Sequence, residues 1–197
     1  LTYVVTSSDA VLDLLSAVAN VSPRSVEEQT LPLLFSSLPD SPPARNAIPE
    51  RVKILNVLSA LETLCVQAQL FETLVIRLTT KLDLICLPNA PSAMLSPITN
   101  EEVELHAAYA HWMLNALTKT LQKKVDREDP DVPKYIERLV PRIFNLFVCA
   151  AAAASEQNAS VEEEVRWPTR AVVATDPRMV KKAGEIVTLV VQSLPLA

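Results

Sequence analysis

Leu31-Pro32-Leu33-Leu34-Phe35 recurs 109 residues later as Val140-Pro141-Arg142-Ile143-Phe144, and the match widens outward, Glu28 answering Glu137 and Leu38 answering Phe147. A fainter copy stands at an offset of 44, where Leu31, Leu34 and Leu38 meet Val75, Leu78 and Leu82. The remaining 65 residues read as one repeat enlarged by a proline-rich loop, Pro88 to Pro97, and by a long helix after it. Proline inside a helix removes a backbone donor and kinks or restarts the chain. A proline at equivalent places in two apolar helices therefore predicts a repeated bend or a repeated helix start.

Working outward, apolar residues recur at helical spacing through most of the chain. The first helix starts at Ser7 or Ser8 and carries Val11, Leu14, Leu15 and Val18 on one face. Ser25 and Glu28 have capping-box spacing and open a second helix with Leu31, Leu34, Phe35 and Leu38. The third starts near Pro49 and carries Ile54, Val57, Leu58, Leu61, Leu64 and Cys65. The fourth follows a break at 67–69 and carries Phe71, Leu74, Val75, Leu78, Leu82 and Ile85. Thr99 and Glu102 form a second capping box ahead of a helix reaching Asp126. A sixth carries Ile136, Leu139, Val140, Ile143, Phe144 and Phe147 toward the alanines 150–154. The last begins at Asp176-Pro177 and is apolar nearly all round, which predicts burial on several sides.

A period near 44 falls within the 40–47 residues of HEAT and armadillo units. The fold expected is all-α, a HEAT/armadillo-like α-α superhelix, one continuous helical-repeat segment over 1–197. Its helix pairs fall at about 7–38, 49–87, 99–154 and 176–197, the last incomplete. Uncapped ends, and a chain opening on Leu1, suggest a segment of a longer protein.

Composition supports this. Glycine occurs once, at Gly184, and proline 15 times. Hairpin turns and phosphate-cradling loops need glycine, so neither a sheet fold nor a nucleotide-binding α/β fold fits. A net charge of −5 argues against a nucleic-acid binder. The longest apolar run, 143–154, is too short to span a bilayer. Three widely spaced cysteines, Cys65, Cys86 and Cys149, each in an apolar run, read as buried thiols.

Chemistry is scarce. His106 and His111 stand about 140° apart around a helix and share no face for a metal. No Cys-x-x-Cys, metalloprotease or nucleophile-elbow pattern occurs, so no catalytic residue, metal ligand or cofactor is expected. Two stretches are candidates for partner binding. Lys123, Lys124 and Arg127, with Lys119, lie at the end of the long helix, where basic groups also complement the dipole. Glu162, Glu163 and Glu164, followed by Trp167, could dock a basic partner.

Leu31–Leu38 before a proline, Glu50-Arg51-Val52-Lys53-Ile54-Leu55 through Leu82-Asp83-Leu84, and Val132-Pro133-Lys134-Tyr135-Ile136-Glu137-Arg138-Leu139-Val140-Pro141 resemble the fungal methyl-methanesulfonate-sensitivity protein nineteen family of large HEAT-repeat proteins. The resemblance covers most of the chain, as an internal fragment. It implies a non-enzymatic scaffold in the cytosolic iron–sulfur assembly targeting complex. Such a scaffold delivers clusters to DNA repair and replication enzymes, is linked to transcription, and resides in cytoplasm and nucleus. Its expected partners are the other targeting-complex subunits and client apoproteins, with no direct contact to nucleic acid or membrane. No ligand residue is transferred by the resemblance. A HEAT scaffold of another class, a nuclear transport receptor or an adaptin-like trafficking subunit, is the alternative. A helical enzyme would instead need a deep pocket placing His106 or His111 beside a carboxylate.

Overall fold

The computed structural model describes residues 2–86, 98–148 and 171–194, and every regular element among them is helical. Helix α1 spans Thr2–Val21. Helix α2 is composite: Pro23–Ser25, a π-helical turn Val26–Thr30, then Leu31–Ser36. Helices α3 (Ile48–Leu64), α4 (Ala68–Cys86) and α5 (Asn100–Asp126) follow. A 3₁₀ turn, Val132–Lys134, leads into α6, which is Tyr135–Arg138 resumed after Leu139 over 140–148. Ala171–Ala174 is α7 and Pro177–Gln192 is α8.

The local chemistry of each start is visible. At α5 the Thr99 hydroxyl accepts from Glu102 N–H at 3.1 Å while the Glu102 carboxylate accepts from Thr99 N–H at 2.8 Å. This is the capping box expected from the spacing, and it satisfies two donors the helix itself cannot. Asp176 likewise caps α8, accepting from Arg178 N–H at 2.8 Å. The other expected box does not form. Pro23 supplies a fixed helical φ at the first turn, so α2 starts there with Ser22 ahead of it. Ser25 is thus already inside the helix, and Glu28 turns outward to Arg24 at 2.7 Å. Both repeated prolines sit in the first turn of a resumed helix. Pro32 follows the π turn, whose wider spacing accommodates its missing donor, and Pro141 follows the interruption at Leu139.

Packing arranges the helices in two rows. In one, α1 packs on α3, α3 on α5, and α5 on α8; α4 packs across onto α5. Cross-links show that neighbours in a row run parallel, because like ends meet. Asn20 near the end of α1 accepts from Gln67 just past α3 at 2.6 Å. Lys123 near the end of α5 donates to the Glu62 carbonyl near the end of α3 at 3.1 Å. At the starts of α5 and α8, Glu104 pairs with Arg178 at 2.9 Å. In the second row Glu27 of α2 accepts from Thr73 of α4 at 2.5 Å and from Gln69. Glu72 of α4 pairs with Arg138 of α6, and Thr79 accepts from Arg142 at 2.8 Å.

The core fills the space between these rows. Ile54, Leu58, Leu61 and Leu64 of α3, Phe71, Leu74, Leu78 and Leu82 of α4, and Tyr109, Met113 and Leu117 of α5 are all buried, as their spacing predicts. Each such aliphatic side chain contributes about 1.5–3 kcal/mol by leaving water. Two apolar faces differ from expectation. On α1 the stripe Val11, Leu14 and Val18 faces outward, Leu14 being 66% exposed, and burial falls instead on Ala19 with Leu15 part-covered. On α8 burial is one-sided: Met179, Ala183, Ile186 and Val190 point inward, while Val180 and Val191 are about half exposed. Phe144, expected inward, is 64% exposed; Leu139, Ile143 and Leu146 take the inner face of α6.

Candidate partner-binding surface

The basic end of α5 divides into an inner and an outer part. Helix α5 ends at Arg127 in a Schellman turn: Asp129 N–H bonds the Lys124 carbonyl at 3.0 Å and Glu128 N–H bonds that of Val125 at 2.9 Å. Glu128 takes the left-handed conformation this turn requires, φ 55°, a place glycine usually fills. The reversal swings Asp129 and Asp131 back beneath Lys124. The Lys124 ammonium then meets Asp131 at 2.8 Å, Asp129 at 2.9 Å and the Val66 carbonyl at 3.0 Å, 5.6 Å from the centre of the Phe71 ring. Tyr135 packs edge-on against Phe71 at 4.9 Å, and its hydroxyl reaches toward Asp131 at 3.4 Å. Burial and the Asp131 charge both push the Tyr135 phenol up, keeping it neutral.

Lys124 is 1% exposed, so it is an internal clasp and is withdrawn from the expected surface set. A helix-end lysine reads the same in sequence whether it is solvated or tied down; the carboxylates brought round by the turn decide the matter. Lys123 is part-buried along its stem, its amine on the Glu62 carbonyl. Lys119 is exposed and pairs with Glu62 at 3.5 Å. Arg127 is exposed at the helix cap. Glu162, Glu163, Glu164 and Trp167 lie outside the described residues, as do Cys149 and the alanines 150–154.

A second clasp went unread in the sequence. Lys81 donates to the carbonyls of Leu38 and Pro39, both at 3.0 Å, and to Asp40 at 2.7 Å, while the Tyr109 hydroxyl donates to Pro39 at 2.7 Å. These partners lie 41–70 residues away, beyond the reach of local pattern.

The titratable candidates do not converge. His106 bonds the Glu102 carbonyl of its own helix at 2.7 Å. His111 faces the start of α8, where burial, then Arg178 and Lys182, hold it below the ordinary histidine range against the pull of Asp176 and Glu185. Cys65 and Cys86 are buried and free, and burial pushes both thiols up to about 12, with Asp83 adding to Cys86. No group of three or more His, Cys, Asp or Glu able to hold a metal occurs among the described residues, and none of their helices is long and apolar enough to cross a membrane.

The described residues thus form an all-helical protein, compatible with an α solenoid, in which lysines of one helix cap the end of its neighbour in the row. Residues 57–197 match the family model described as "MMS19_C: RNAPII transcription regulator C-terminal". The chain belongs to this family, as the resemblance of Val132–Pro141 and its companions implied. Neither the curated proteins nor the solved structures provide a match.

Proposed function

We propose that this chain is a HEAT-like α-α solenoid segment acting as a protein-binding adaptor in cytosolic iron–sulfur cluster targeting. In that role it would deliver clusters to DNA repair and replication enzymes in cytoplasm and nucleus. Membership of a family named for transcription regulation supports a nucleus-linked adaptor role. The observation that carries the repeat reading is the spacing of side-chain partners along the second row. Partners on α2, or just past it, and on α4 are 41–46 residues apart, and partners on α4 and α6 are 63 and 66 apart. These separations bracket the sequence offsets of 44 and 65, which supports the reading as stacked repeats. The units proposed are about 7–38, 49–87, 99–154 and 176–197, the last incomplete.

A stacked array presents long surfaces, and such surfaces bind proteins through many side chains at once. Arg127, with Lys123 beside it, belongs to the polar rim of such a surface; Glu162, Glu163, Glu164 and Trp167 are the acidic candidates. The test is affinity purification of the tagged endogenous protein, followed by mass spectrometry. Recovery of the iron–sulfur targeting subunits is the expected result. Reproducible recovery of nuclear transport or coat components in their place would refute the proposal.

A further inference from the structure

Between Leu31–Ser36 of α2 and the outer stripe of α4 lie two adjoining hollows of about 330 and 510 Å3, which share Pro32, Phe35, Ile76 and Arg77. Together they form one groove along α4 from Thr73 to Leu84. At 1.5 Å per residue that is roughly 17 Å, the length of about five residues of extended chain. Its apolar lining comes from Leu31, Pro32, Phe35, Ile76 and Leu84. Ile76 and Leu84 are each 47% exposed, so these two apolar side chains are open to solvent, while Leu31 beneath them is buried.

The charges along the groove are unevenly committed. Lys81 at one end is held by Asp40 and two carbonyls. At the other end both carboxylate oxygens of Glu27 are taken, by Gln69 and Thr73. Arg77, at the midpoint beside Ile76, is exposed and makes no ion pair among the described residues. Its guanidinium is the free charge of the groove, and a planar fork of donors over an apolar floor fits a carboxylate flanked by apolar side chains.

We propose that this groove docks a short extended segment of a partner protein in which an Asp or Glu, flanked by Leu, Ile or Phe, pairs with Arg77 while its neighbours cover Ile76 and Leu84. The inference rests on the protein-binding reading above and adds a place and a partner chemistry to it.

The test is selection of phage-displayed random decapeptides on the full chain, then binding of the enriched peptides, made synthetically, to wild type, Arg77→Glu, Arg77→Lys and Ile76→Asp. All three substitutions are at exposed positions, and far-UV circular dichroism checks that each variant keeps its helix. The expected peptides carry an acidic residue beside large apolar ones. They bind Arg77→Glu and Ile76→Asp at least tenfold more weakly, with Arg77→Lys in between. Enrichment of basic or uncharged peptides, equal binding to all variants, or no enrichment at all would overturn the proposal. So would a concentration-dependent dimer of the chain abolished by Ile76→Asp, since a second copy would then cover the groove. These failures leave the co-purification result untouched, so loss of the groove and loss of the adaptor role are separately visible.

Discussion

Replacing Lys124 by methionine separates the charge of the internal clasp from its packing. Methionine keeps most of the unbranched stem and removes the ammonium. Three partners then lose their donor: the Val66 carbonyl, Asp129 and Asp131. The carbonyl belongs to a residue only 6% exposed, and leaving such a group unsatisfied costs about 1–3 kcal/mol. The carboxylates are 29% and 15% exposed, so water partly replaces the lost ammonium. Breaking a fully buried pair costs about 3–5 kcal/mol, and partial hydration places this case at the lower end, about 3 kcal/mol. For a chain of this size each kcal/mol moves Tm by about 2–4 °C, so Lys124→Met should melt roughly 6–12 °C below wild type. Thermal and urea unfolding followed by far-UV circular dichroism measure this directly. Combined with Asp131→Asn, the double variant should lose less than the sum of the singles by about 1 kcal/mol or more, as directly bonded groups do. A Lys124→Met protein within about 0.5 kcal/mol of wild type, with additive effects, would show that the ammonium is hydrated in solution and that the clasp argument fails.

Three further outcomes follow from neighbouring features. Thr99→Ala should destabilise by about 1 kcal/mol in urea unfolding, because it removes the hydroxyl that accepts from Glu102 N–H at the start of α5. Hydrogen bonds from Arg178 hold the Asp176 carboxyl below its ordinary 3.8. A depressed carboxylate stabilises the fold above its unfolded pKa, and that contribution disappears as pH falls through the folded value. Asp176→Asn keeps a capping oxygen, so its deficit at pH 7, under about 1 kcal/mol for a pair whose arginine is 41% exposed, should shrink as pH falls below 3.8 in parallel urea titrations. With Cys65 and Cys86 buried and pushed up to about 12, iodoacetamide at pH 8 should leave both unmodified in the native protein and label both in urea, as mapped by peptide mass spectrometry.

What the sequence made legible depended on the range of the interaction. The Thr99–Glu102 box and the Asp176 cap are complete within four residues, so residue type and spacing suffice. Ser25 and Glu28 have the same spacing, yet Pro23 starts the helix earlier and puts them inside it. Periodicity located the inner stripes of α3 and α4 because neighbours cover them on the inner side. On α1 it found an equally regular stripe at Val11, Leu14 and Val18, but periodicity carries no information on whether another element lies against it. Lys124 and Arg127 are three residues apart and of one charge; only the turn at Glu128 makes one internal and leaves the other outside. Ile76 and Arg77 could not be singled out, because the groove beside them is made by Pro32 and Phe35, more than 40 residues away.

Each clasp caps a carbonyl earlier in the chain. Lys81 and Tyr109 close the segment after α2, and Lys123 and Lys124 close the end of α3. During synthesis on the ribosome, an upstream rod therefore emerges with its carbonyl terminus bare, and is sealed only when the lysine or tyrosine of a later rod arrives. A nascent chain halted before residue 123 would lack the two donors to the Glu62 and Val66 carbonyls, leaving water to satisfy them at the end of α3.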